Sequence, residues 1–112
     1  MIFVTGPMFA GKQEYIQNAL GLSQDAFAAQ AVLDVESLAA KTADLEALAD
    51  ELAMHKIVIA SETGGGIVPI DPAERKAREA AGRLSCLLAQ RAETVVRVVC
   101  GLPQILKGEL PC

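Results

Sequence analysis

Four residues, Ile2-Phe3-Val4-Thr5, run directly into Gly6-Pro7-Met8-Phe9-Ala10-Gly11-Lys12-Gln13, and a helix-patterned stretch follows at once. A short apolar strand that turns into a helix through two spaced glycines admits few folds. The spacing of Gly6, Gly11 and Lys12 satisfies G-x-x-x-x-G-K-[ST] at every position but the last. A loop of this kind turns successive backbone N–H groups inward toward anionic oxygens, and the helix that follows adds its positive dipole end. Glycine is needed where φ is positive or where a side chain would collide with a phosphate. Gly6, Pro7, Met8, Phe9, Ala10, Gly11, Lys12 and Gln13 are therefore the candidate nucleotide-binding residues, with Lys12 on the β and γ phosphates of a nucleoside triphosphate. Gln13 stands where a Ser or Thr hydroxyl would hold Mg²⁺. The alternative is a glycine-relieved turn with Lys12 solvated. The stretch Glu14–Leu20 has helical pattern and Gly21 is placed as its C-terminal cap, the context the motif requires.

The rest of the chain alternates strand-like and helix-like segments. Ala31-Val32-Leu33-Asp34-Val35 forms a second expected strand, after an ambiguous stretch from Ser23 to Gln30. Leucines at 45, 48 and 52 make an apolar stripe at helical spacing over residues 42–55. Ile57-Val58-Ile59-Ala60 is a short, wholly apolar third strand, as parallel strands covered on both faces tend to be. A glycine-rich loop follows at 61–69. Asp71 then caps a helix with Pro72 in its first position and Glu74 placed for a capping box. Thr94 to Cys100 is the fourth strand, broken by Gly101-Leu102-Pro103, and the tail beyond is weakly patterned. Such alternation implies a mostly parallel sheet of about four strands between helical layers. The expected fold is a P-loop NTPase-like three-layer α/β sandwich, with residues 1–112 forming a single nucleotide-binding domain.

With 112 residues, a chain buries roughly 65% of its unfolded surface, enough for one core without staples. A net charge of −4 offers no basic stripe to offset phosphate repulsion, so a nucleic-acid partner is not expected. Cys86, Cys100 and Cys112 are widely spaced, and His55 is the sole histidine, which argues against zinc and for reduced thiols. The apolar N-terminus lacks a basic region and a small-residue cleavage site, and no run is long enough to span a bilayer. A cytoplasmic protein without membrane attachment is expected.

Ligands of such sheets sit beyond the carboxyl ends of the strands, and the Gly6–Gln13 loop, Asp34, Ser61-Glu62 and Gly101 share that edge. Asp34 is either an acid at a strand-to-loop junction or the Mg²⁺-binding acid that accompanies such loops. Ser37 offers a hydroxyl to a metal or phosphate shell, or is simply solvated. Glu62 is either a solvated loop acid or a group that orients a substrate hydroxyl or acts as a base. Arg75, Lys76 and Arg78 on the first turns of the capped helix either reach phosphates or form a solvated face, and Arg97 lies inside the last strand, where an acid at a sheet edge could pair with it.

From Val58 to Lys107 the segments I-A-S-E-T-G-G-G-I-V-P, A-x-x-x-A-G-R-L, L-A-x-R-A-E-T-V and V-V-C-G-L-P-Q-I-L-K resemble the C-terminal half of the adenosylcobinamide kinase/adenosylcobinamide-phosphate guanylyltransferase family of cobalamin synthesis. Val4 to Lys12 resembles that family's P-loop, and Val32-Leu33-Asp34-Val35-Glu36-Ser37 resembles its L-V-D-C-L-T segment. The resemblance implies a kinase using Mg²⁺ with ATP or GTP, a cobinamide-like corrinoid as acceptor, and a small homo-oligomer. Lys12, Asp34 and Glu62 would be its catalytic residues, and Asp34 and Gln13 its metal ligands.

The departures from the family also carry expectations. The segment between the first helix and Asp34 is shorter than the family's, which keeps its guanylylated histidine there. His55 precedes the third strand, at the opposite sheet edge, and cannot replace it. Guanylyl transfer is expected to be lost. Each ~1.4 kcal/mol is tenfold in rate, so a poorly held Mg²⁺ at Gln13 would slow phosphoryl transfer ~10²–10⁴ while affecting binding less. The alternative is a catalytically inactive relative that binds a nucleotide or corrinoid as a regulatory or partner subunit.

Overall fold

The computed structural model describes residues 1–8, 10–62 and 71–110. Five strands form one sheet in the order β2-β3-β1-β4-β5, with β1 (Ile2–Thr5) at the centre, flanked by β3 (Ile57–Ile59) and β4 (Thr94–Val99). These three strands and β2 (Ala31–Val32) are parallel, whereas β5 (Leu102–Lys107) runs antiparallel to β4. The fold is P-loop NTPase-like α/β, as expected, with one strand more than expected.

Strand alternation divides the core. Phe3, Val58 and Val95 point to one face, where α3 (Glu36–Ala39), α4 (Leu45–Leu52) and α5 (Pro72–Arg91) bury Ala39, Ala49, Leu52, Leu84 and Leu88. Val4, Ile57, Ile59, Val96 and Val98 point to the other face, against Ile16 of α1 (Lys12–Ala19) and Phe27 of α2 (Gln24–Gln30). Both faces of the central strands are covered, which is why their sequences are continuously apolar. Arg91 clamps the outer layer, bonding Asp50 at 2.7 Å and Glu46 at 2.6 Å, and so ties α5 to α4.

Several boundaries differ from the sequence reading, for local reasons. Ser23 accepts a bond from Ala26 N–H at 3.1 Å and so caps α2, resolving the ambiguous stretch as a helix. The second strand keeps only two residues, because Asp34 takes φ 54° and turns the chain toward α3. Gly101-Leu102-Pro103 is no terminus of order. Cys100 and Gly101, at φ 53° and 73°, join β4 to β5 as a two-residue hairpin loop in which both residues have positive φ, as a type I′ turn requires. Pro103 is tolerated because β5 is the edge of the sheet. Asp71 caps α5 through Ala73 N–H at 2.9 Å, with Pro72 in the first turn as expected.

The glycine-rich stretch 63–70, with the Gly-Ile-Val-Pro segment of the family resemblance, lies outside the described residues, as do Phe9 and Cys112. Cys86 and Cys100 are free, exposed thiols. Among the described residues no helix is long and apolar enough to cross a membrane.

Candidate functional site

The Gly6–Gln13 loop leaves the carboxyl end of the central strand and is pinned on both sides. Gly6 takes φ 149° and passes so close to β4 that a Cβ there would overlap the Val98 carbonyl oxygen. Its own carbonyl accepts Glu62 N–H at 2.7 Å from the end of β3. At the far end, Ala10 carbonyl accepts Gly101 N–H at 2.7 Å. Gly11 takes φ 81° at the cap position of α1 and offers no capping side chain. The first N–H groups of a helix have no intrahelical partner, and those of Lys12 and Gln13 bond no backbone acceptor among the described residues.

These residues border a cleft of about 800 Å³, lined among others by Met8, Ala10, Gly11, Lys12, Gln13, Asp34 and Ser61. Lys12 is only 8% exposed, and its Nζ donates to Pro7 carbonyl at 2.7 Å across the loop. Burial lowers its pKa from the usual lysine range, while the carboxylates of Glu36, Asp34 and Glu62 pull it back up. A desolvated ammonium resting on one neutral carbonyl has donors left for stronger acceptors. Met8, 67% exposed, stands at the rim and does not plug the cleft.

Asp34 lines the same cleft from beyond β2, two strands from the loop, a lateral span of ~10 Å. The hydroxyl of Ser37 donates to Asp34 carbonyl at 2.9 Å, so its proton serves the turn and not a phosphate shell. Among the described residues no group of three or more His, Cys, Asp or Glu could hold a metal ion.

Glu62 is exposed but paired. Arg97 on β4 grips it with two donors, Nε to one carboxylate oxygen and NH2 to the other at 3.0 Å. Since Arg97 lies beside Thr5 in register and Glu62 follows β3, the pair spans the carboxyl end of β1 beneath the loop. That hydrogen bonding, against the opposing effect of partial burial, holds the Glu62 carboxyl below the usual range, with help from the charges of Arg97 and Lys12. A carboxylate so held is a weak proton acceptor. The acid expected for Arg97 is therefore Glu62, reached over the central strand.

Glu36 escaped the sequence reading. Its Oε1 accepts Ser61 N–H at 2.8 Å, tying α3 to the end of β3, and its charge supports Lys12. Nothing local marks it, because its partner is 25 residues away. His55 follows α4 and precedes Ile57, at the amino end of β3 away from the cleft.

A strand–glycine loop–helix unit at the centre of a parallel sheet, with a buried lysine at the helix start, defines the class: a P-loop NTPase-like α/β protein. Residues 15–106 match the family model described as cobinamide kinase / cobinamide phosphate guanyltransferase, CobU. The chain belongs to that family. A segment of 59 residues, 53% of the chain, is 42% identical to the bifunctional adenosylcobalamin biosynthesis protein CobP of Pseudomonas aeruginosa. The match spans 34% of that relative's length.

Proposed function

We propose that the chain is a nucleotide-binding protein of cobalamin biosynthesis that holds a nucleoside triphosphate on the Gly6–Gln13 loop and phosphorylates an alcohol of a cobinamide-like corrinoid, without guanylyl transfer. The observation that carries this reading is the pinned loop, with its uncapped helix start beside the buried Lys12. On binding, the Lys12 ammonium exchanges Pro7 carbonyl for β and γ phosphate oxygens, a charge-assisted replacement for a neutral bond. The open amides of α1 take further oxygens at no cost in reorganisation.

The donor set near the phosphates suits Mg²⁺: Asp34 offers a carboxylate and Gln13 an amide oxygen, and this ion keeps waters and takes its remaining ligands from substrate phosphates. When bound, Mg²⁺ supplies charge neutralisation on the phosphate oxygens. Glu62, fixed by Arg97, accepts the hydrogen bond of the acceptor hydroxyl and aims its oxygen at the γ phosphorus. That oxygen forms the new P–O bond as the bond to the β–γ bridging oxygen breaks, and the hydroxyl proton passes to water.

Self-association is part of the proposal, seated on the outer strand β5, where Leu102, Ile105 and Leu106 are exposed. So is a cytoplasmic location.

The second reading, binding without turnover, is favoured by Gln13 in place of a hydroxyl and by the Arg97 grip on Glu62. Consumption of ATP or GTP with adenosylcobinamide and Mg²⁺ separates the two. Turnover that vanishes in Lys12→Ala and rises in Gln13→Ser supports the kinase. Thermal stabilisation by triphosphate with no turnover supports the binding module, and no stabilisation by any nucleotide sinks both.

A further inference from the structure

The strand β3 proper ends at Ile59, but its pairing with the central strand runs on. Ala60 N–H donates to Val4 carbonyl at 3.0 Å, and Glu62 N–H donates to Gly6 carbonyl at 2.7 Å. Ser61 between them is therefore still extended, level with Gly6 and one strand spacing of ~4.8 Å away. Successive side chains of a strand point to opposite faces. Ile57 and Ile59 face α1 and α2, whereas Val58 and Ala60 face α5. The Ser61 side chain accordingly falls on the α1 side, where it lines the cleft with Lys12, Gln13 and Asp34. Among the described residues bordering that cleft, Ser61 carries the one hydroxyl.

Ser61 is also held from its other side. Its N–H points away from β1, toward the place where β2 would continue, but β2 stops at Val32. Glu36 fills that gap from α3, its Oε1 accepting Ser61 N–H at 2.8 Å. A carboxylate thus stands in for the missing strand carbonyl. Gripped by the ladder and by Glu36, Ser61 is fixed in register and buried, and its side chain stays on the cleft side. Its hydroxyl donates to no described residue, unlike that of Ser37, which is spent on the Asp34 turn. The phosphate loop, meanwhile, brings no hydroxyl of its own at position 13. Gln13 is long and exposed, and fixing it on an ion loses more rotamer freedom than using a serine already locked in place.

We propose that Ser61 supplies, from the neighbouring strand, the hydroxyl that the loop lacks. Its Oγ lone pair joins Asp34 on the Mg²⁺ that accompanies the triphosphate, and Glu36 is the positioning residue that keeps it there. The inference rests on the phosphate site proposed above. The donor set suits an ion that takes oxygen ligands, keeps several waters and needs only one or two protein groups beside substrate phosphates. Gln13 is then the lesser contact, and a serine placed at 13 would partly duplicate Ser61.

Isothermal calorimetry on the whole chain tests this, with ATP as probe in Mg²⁺ and again in EDTA. The ratio of the two affinities gives, for each variant, the factor by which the metal tightens binding. Ser61→Ala should cut that factor about tenfold, the low end of what losing a supporting residue costs a metal site. Gln13→Ser should restore the factor in the Ser61→Ala background and raise it far less in the wild type, the non-additivity of two groups serving one ion. Glu36→Ala should lower the factor as Ser61→Ala does. Glu36→Gln, whose amide oxygen can still accept Ser61 N–H, should keep most of it.

A wild-type factor of one, a Ser61→Ala factor equal to the wild type's, or a Gln13→Ser gain that is the same in both backgrounds overturns the role of Ser61. A Glu36→Ala chain with the wild-type factor overturns the positioning role. In each case ATP binding in EDTA leaves the phosphate site standing. If ATP fails to bind the wild-type chain under either condition, both proposals fall.

Discussion

Gly6→Ala tests whether the loop is built by a close backbone approach. The added methyl would lie under 3.0 Å from the Val98 carbonyl oxygen, with Val98 C and N at 3.2 and 3.3 Å. Its obstacles are β4 backbone, locked into the sheet by pairing with β1, so the loop must retreat. Three terms follow. Overpacking against a rigid neighbour costs about 1–3 kcal/mol. A side chain at φ 149° costs about 1–3 kcal/mol. Retreat also stretches the 2.7 Å bond from Glu62 N–H to Gly6 carbonyl, worth about 0.5–1.5 kcal/mol.

A central sum of about 4–5 kcal/mol, at roughly 4 °C per kcal/mol for a chain of this size, lowers the melting temperature by about 16–20 °C. Gly21→Ala is the internal control, because Gly21 has positive φ (65°) but nothing within 4 Å. Only the backbone term applies there, about 1 kcal/mol and about 4 °C. Both are read from circular-dichroism melts. A Gly6→Ala loss no greater than that of Gly21→Ala would refute the close-approach account of the loop.

Burial lowers the Lys12 pKa, so the unfolded chain binds more protons between that lowered value and 10.5, and stability should rise with pH across this window. Lys12→Met removes the dependence, and parallel alkaline denaturation curves for the two proteins would contradict it. The opposite sign holds for Glu62, whose carboxyl lies below 4.5 when paired with Arg97. Its contribution is present above 4.5 and is lost as pH falls through the lowered value, so Arg97→Gln should flatten the acid limb of the melting temperature below pH 4.5. An unchanged acid limb would show that the pair contributes nothing to folding.

Much of this architecture was legible because its determinants are local. The buried strands are continuously apolar, the P-loop spacing is set by backbone geometry, and Asp71-Pro72 marks a helix start by capping chemistry alone. The fifth strand was hidden because all six of its residues are exposed, leaving no alternation to detect, and Pro103 looked like a breaker when it only required an edge. The second strand was read too long because its apolar run continues past Val32, whereas Asp34 in the left-handed region ends it. At the site, Lys12, Gln13 and Asp34 fall on one cleft as expected. Glu36 and the Arg97–Glu62 pair were beyond reach, since each joins groups that only the sheet order brings together.

That sheet order also divides the cleft mechanically. The phosphate loop springs from the middle strand, held by neighbours on either side, whereas Asp34 hangs from a two-residue border strand with one neighbour. Fraying begins at such borders. What steadies Asp34 is the chain beyond it, where buried Val35 donates its N–H to Ile59 carbonyl at 3.4 Å. On the proposed function, the two sides of the cleft would therefore answer separately to the polyphosphate and to its counter-ion.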